Sequence, residues 1–139
     1  MAKKYRTGAT MQLLWSFIAQ YIIKYEIDIM FGCASFPGIN PNIHKNSFDY
    51  LYRNYLAPKA IRPKALKERF IKMKSEGNEK MSFKDFLVSI PPLIKGYIRL
   101  GALVGNGAVI DYDFNTIDVC IVLPTEKIAS RYKLHYDRN

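Results

Sequence analysis

Close to the start of the chain, Arg6, Thr7, Gly8, Ala9 and Thr10 run directly into an apolar stretch, "MQLLWSFIAQYIIKY". A turn of small residues at the N-terminus of a helix aims unpaired backbone N–H groups at one point, where the helix dipole favours negative charge. These five residues outline a phosphate site, to which Arg6 can add a bidentate contact. The same turn is also common in loops that bind nothing. Asp111, Asp113 and Asp118 lie in and around "YDFN", where their carboxylates can meet a cation, although Asp and Asn are ordinary turn residues too. Cys33 and Cys120 each sit inside an apolar run and read as small buried hydrophobes with inert thiols. They give neither a disulfide framework nor a metal-ligand spacing, so no metal is expected. His44 and His135 stand in polar contexts that predict exposure, with no partner evident in the sequence.

The elements that must position these residues follow from periodicity. Leu14, Phe17, Ile18, Tyr21, Ile22 and Tyr25 recur at spacings of three and four, which predicts a helix near 10–25 with a buried face, capped by Thr10. "IDIMFGCAS" is a short apolar run bounded by Pro37 and Gly38, and predicts a buried strand near 28–35. From about 36 to 90 the chain changes character, with turn residues in "FPGINPN", clustered aromatics in "FDYLYRNYLAP" and a charged, weakly periodic run after them. This reads as an insertion with short helices. "PPLIKGYIRLGA" predicts a helix started by proline and stopped by Gly101. "GNGAVID" and "TIDVCIVLP" predict a strand pair over 107–123, and a last amphipathic helix is expected from about 125 to 136. Helix, buried strand, helix and strand pair in that order imply α/β packing.

Composition bounds the partners. A chain of 139 residues with about half of them apolar has the size of one folded domain. Its 21 Lys and Arg against 12 Asp and Glu leave a formal charge of +9, which suits an anionic partner: nucleic acid, an anionic bilayer or an acidic carrier protein. The charges are dispersed, as on any solvated surface. The apolar run of 11–23 is interrupted by Ser16 and Gln20 and falls short of the roughly 20 residues a bilayer span requires. With no cleavable signal in front, the expectation is a cytoplasmic protein that can rest on the inner membrane.

Two short motifs and several longer phrases then carry a resemblance. Arg6-Thr-Gly8-Ala-Thr10 resembles the Arg/Gln-x-x-Gly-x-Gly/Ala turn on which acyltransferases of the GNAT superfamily hold the donor's pyrophosphate, one residue short and with Thr10 at the second small position. Tyr97-Ile-Arg-Leu-Gly101 resembles the superfamily's later Tyr-x-x-x-Gly-Phe helix, with Ala102 in place of Phe. "YRTGATMQLLW", "DIMFGCASFPG", "YLAP", "PPLIKGYIRLGALVGNGAVIDYDFNTIDVCIVLP" and "RY" together resemble the C-terminal half of the ornithine lipid N-acyltransferases, a hemolysin-like bacterial family similar in fold to autoinducer synthases.

The resemblance implies a GNAT-like α/β fold and transfer of a 3-hydroxyacyl chain to the α-amino group of ornithine. It implies no bound cofactor: the acyl group arrives on the phosphopantetheine of acyl carrier protein, with coenzyme A as the other carrier. It implies that Arg6, Thr7, Gly8, Ala9 and Thr10 hold the donor's phosphate, that Tyr97 protonates the departing thiolate as general acid, and that Asp111, Asp113 and Asp118 receive the cationic side chain of ornithine. An acidic carrier protein and an amphiphilic product agree with a basic surface that meets anionic lipid. Superfamily enzymes have several strands before the phosphate turn, where this chain has five residues, so the expected molecule is the C-terminal part of one domain. Its strand near 28–35 is then left with an open edge, and a separately encoded N-terminal half is an expected partner. The alternative is a non-catalytic remnant or module that binds membrane or carrier protein. A nucleic-acid-binding protein has only charge and ten tyrosines behind it, and no nucleic-acid partner is expected.

Overall fold

The computed structural model describes residues 8–77, 80–126 and 128. The described residues fall into two compact units, one of 8–30 with 124–126 and 128, the other of 31–77 with 80–123.

The first unit is built on helix α1, Gly8–Lys24. The helix starts at Gly8, two residues earlier than the sequence predicts, which places Thr10 inside the first turn and not at the cap. Ile27 N–H returns to the Ile22 carbonyl to end it. Thr125 binds the turn that follows, its backbone N–H on the Asp28 carbonyl and its hydroxyl on the carbonyls of Ile27 and Asp28. The expected buried face is largely exposed. Ala19 and Ile22 are buried, whereas Leu14, Phe17, Tyr21 and Tyr25 are 40–60% exposed. A period of 3.6 makes burial possible but does not supply a covering surface, and the described residues of this unit leave most of the face uncovered.

The second unit holds a three-stranded sheet in the order β1-β3-β2, with β1 at Ile29–Pro37, β2 at Leu103–Asp111 and β3 at Thr116–Pro124. β2 and β3 form an antiparallel hairpin, pairing Leu103 with Val122 and Asp111 with Thr116. The predicted strand pair is therefore present and begins four residues earlier than 107. Asn115 closes the hairpin turn at φ 56°, a conformation Asn tolerates. β1 runs antiparallel along β3 at the sheet edge, tied by Gly38 N–H to the Asn115 carbonyl at 2.9 Å.

Position in the sheet corrects the expectation of a buried β1. Only Ala34 and Phe36 of this strand are buried, and Phe31 is 80% exposed. β3, flanked on both sides, buries Ile117, Val119, Ile121, Val122 and Leu123.

Residues 36–90 fold into short helices, as expected. α2, Lys45–Tyr55, carries Phe48, which meets Phe36 edge-on at 4.8 Å. α3, Phe83–Ser89, starts at Ser82, whose hydroxyl accepts the Asp85 N–H. It stacks Phe86 on Tyr50 of α2 at 4.2 Å and joins Ser47 to Ser89 by a 2.8 Å hydroxyl contact. Asp49 of α2, nearly fully buried, accepts Arg53 Nε at 2.9 Å and the Ser75 N–H at 2.8 Å, pinning the following loop to the helix. α4, Pro92–Arg99, has Ile94 and Ile98 as its buried i, i+4 pair. Gly101 follows at φ 92°, the left-handed stop its sequence position predicts. The predicted last helix falls largely outside the described residues.

Candidate functional site

A groove of about 320 Å³ lies on one face of the sheet, lined by Cys33 of β1, Asp118 and Cys120 of β3, Asp111 of β2, and Lys64 and Arg69 of the segment before α3, among others. Its wall exists because of "GNG", residues 105–107. Asn106 exchanges backbone bonds with Pro63 and Ala65, and Ile71 with Ala108, so that segment 63–71 is strapped along β2. At Gly107 a Cβ would come within 2.4 Å of the Phe70 ring, and at Gly105 within 2.8 Å of the Pro63 carbonyl oxygen. Only glycine admits so close an approach, and Gly107 also holds φ at 93°.

Within the groove Asp118 is fixed from two sides. Its Oδ1 accepts the Ser35 hydroxyl at 2.7 Å and the Thr116 hydroxyl at 2.9 Å. Oδ2 makes no hydrogen bond among the described residues, which leaves a half-buried, pre-oriented carboxylate oxygen for a cationic ligand. Asp111 is engaged otherwise, since its Oδ1 accepts the backbone N–H groups of Asp113 and Phe114 and shapes the hairpin turn. Asp113 is exposed in that turn and is not among the groove residues. The three aspartates predicted as one set thus separate into a groove carboxylate, a turn former that borders the groove, and an exposed turn residue. Arg69 bonds the Ile110 carbonyl through Nη2 at 2.8 Å, holding a guanidinium beside the groove.

The thiols differ from their expected burial. Cys33 is exposed, because β1 is an edge strand whose odd-numbered residues face away from the core, and Cys120 on β3 is only partly covered. Burial pushes the Cys120 thiol up from its ordinary range, and the neighbouring Cys33 adds to the shift. His44 also departs from expectation, donating Nε2–H to the Pro37 carbonyl at 2.8 Å and lying against the rings of Phe36 and Phe48. His135 lies outside the described residues.

Arg6 and Thr7 of the predicted phosphate turn also lie outside them. Gly8, Ala9 and Thr10 form the first turn of α1, and among the described residues nothing lies within 4 Å of where a Gly8 side chain would start. Tyr97 is half-buried on α4 and is not among the groove residues. Lys64, Arg69 and Ser35 went unrecognised in the sequence. "GNG" was the available signal for a close backbone approach at β2, but nothing local says which segment approaches. Among the described residues no cluster of three or more metal-ligating side chains occurs, and no helix is long and apolar enough to cross a membrane.

A mixed α/β chain with helices and a three-stranded antiparallel sheet in this order is compatible with part of a GNAT-like acyltransferase fold. In sequence the chain is similar to L-ornithine N(alpha)-acyltransferases, at 44% identity to those of Agrobacterium fabrum and Brucella abortus and 37% to that of Rhodobacter capsulatus. Each match takes in 96% of this chain but only 45%, 47% and 51% of the respective relative, so the chain spans about half the length of the curated relatives it matches. The chain is homologous to that half of an L-ornithine N(alpha)-acyltransferase. No family model matches it, and no solved structure does.

Proposed function

We propose that this chain is part of an N-acyltransferase that moves a 3-hydroxyacyl group from acyl carrier protein to the α-amino group of ornithine. The observation that carries the reading is the 44% identity to L-ornithine N(alpha)-acyltransferases over 96% of the chain. The groove supports it: Asp118 offers a carboxylate held by two hydroxyls, a suitable receptor for the side-chain ammonium of ornithine, with Asp111 as a second negative charge at the border. Asp113 contributes to the field at the turn. In this reading Arg6, Thr7, Gly8, Ala9 and Thr10 hold the phosphate of the phosphopantetheine arm, on carrier protein or coenzyme A, at the start of α1. Tyr97 gives its phenolic proton to the departing thiolate as the amine attacks the thioester carbon.

The +9 charge suits an acidic carrier protein, and the exposed Phe17, Tyr21 and Tyr25 of α1 suit an anionic membrane surface at the cytoplasmic face, where the amphiphilic product would partition. Among the described residues β1 pairs on one side only, and its other edge is the natural place for strands from the rest of the relatives' length. A second reading is a non-catalytic module that binds carrier protein or membrane, for which the +9 charge is the observation.

Radiolabelled acyl transfer to ornithine decides between them, measured for the chain alone and with a polypeptide corresponding to the other half of the relatives. Transfer in the combined sample, reduced about 10²-fold or more in kcat by Tyr97→Phe, is the expected result. Asp118→Asn should raise KM for ornithine more than it lowers kcat. No transfer from the combined sample, with carrier-protein binding intact, would leave the binding module.

A further inference from the structure

Two thiols on one face of two neighbouring strands raise a possibility separate from acyl transfer, and the register of the strands decides whether they can meet. Gly38 N–H bonds the Asn115 carbonyl, and Ser35 bonds Asp118 across the same two strands. The residue numbers in both pairs add to the same total, and so do those of Asp28 and Thr125, whose backbone bond lies beyond the other end of the strand. β1 and β3 therefore run in one unbroken register in which Cys33 stands directly opposite Cys120.

Gly38–Asn115 is a hydrogen-bonded pair, and antiparallel pairs alternate, so positions 36 and 34 are hydrogen-bonded while 35 and 33 are not. Cys33 and Cys120 are a non-hydrogen-bonded pair, the kind whose Cα atoms lie about 4.5 Å apart with side chains on the same face. A disulfide accepts Cα separations from about 4.4 to 6.8 Å, which includes this spacing. Both thiols are free and both line the groove.

We propose that Cys33 and Cys120 form a reversible dithiol–disulfide site in the groove, closed and opened by exchange with a low-molecular-weight disulfide such as oxidised glutathione. Cys33, the exposed thiol, attacks first as its thiolate, breaking the S–S bond of glutathione disulfide and releasing one glutathione thiolate. Cys120 then loses its proton to solvent and attacks the Cys33 sulfur, forming the protein disulfide and displacing the second glutathione. Two protein thiols are oxidised and one glutathione disulfide is reduced to two thiols. The partial burial that disfavours the Cys120 thiolate suits it to the second step, where it needs only to reach its neighbour. Closure staples the edge strand to the sheet beside Ser35, the residue that orients Asp118.

The 139-residue chain, incubated with graded ratios of reduced and oxidised glutathione, alkylated and measured by intact mass and peptide mapping, tests the site. Expected is a monomer lacking two hydrogens, with a Cys33–Cys120 cross-linked peptide, reversed by dithiothreitol and much less abundant in denaturant. In Cys120→Ser and Cys120→Ala the reaction should stop at a glutathione adduct on Cys33, and in Cys33→Ser both adduct and cross-link should be lost. A persistent glutathione adduct on Cys33 of the unaltered chain overturns the proposal. So does a disulfide formed only between chains, or one formed equally well in denaturant.

Discussion

β1 and β3 are both nine-residue strands with a cysteine near the middle and a proline at the end, yet they live in different surroundings. β3 lies between two partners and buries five of its residues, whereas β1 has a partner on one side and buries two. An apolar run permits burial, but the number of neighbours decides how much of it occurs. The contrast extends along β1 itself, since Phe36 is fully buried against Phe48 and Phe31 stands 80% exposed five residues earlier. Exposure on β1 is thus a property of one face and one end of the strand, and the groove with its two thiols lies on that face.

Substitutions along the two strands should reproduce this gradient. Phe36→Ala should cost the most, about 3–5 kcal/mol in chemical denaturation, because it opens a cavity against Phe48 and His44. A loss near that of an exposed residue would mean that even the inner end of β1 is poorly packed. Gly107→Ala should follow at about 2–4 kcal/mol, since the new methyl meets the Phe70 ring and the backbone keeps a positive φ. Amide exchange should speed up selectively across 63–71 and β2, and uniform loosening of the sheet would contradict the strap. Ser35→Ala should cost about 1 kcal/mol by removing one of the two hydroxyls on Asp118. Phe31→Ala should change stability by no more than about 0.5 kcal/mol in the chain alone. If a polypeptide corresponding to the other half of the relatives pairs with β1, the same substitution should become costly in the combined sample. That change in cost would sharpen the comparison, because β1 would then behave as β3 does.

The local elements were legible in the sequence where the signal is local. The α1 periodicity, the proline that starts α4 and the Gly101 that ends it, and the two phrases on either side of the "YDFN" turn all named their elements to within a few residues. Of the expected phosphate turn, Gly8, Ala9 and Thr10 open α1, and Thr10 sits inside the helix it was expected to cap. Of the three aspartates, only Asp118 is fixed as a groove carboxylate, and the distinction rests on Ser35, 83 positions away in sequence.

By itself, the sequence determined which segments become helices and strands, since backbone preference and side-chain period act over a few residues. It also carried the resemblance stated from the phrases around Gly32, Pro92 and Gly107. The tertiary structure alone decided which apolar faces are covered, because burial requires a second surface and a period of two or 3.6 residues names none. It also decided that Cys33 faces Cys120, that segment 63–71 walls the groove, and that Asp118 is held through one oxygen by Ser35 and Thr116. Each of these is set by strand order and register, which join residues tens of positions apart, and so they are absent from any local reading of the chain.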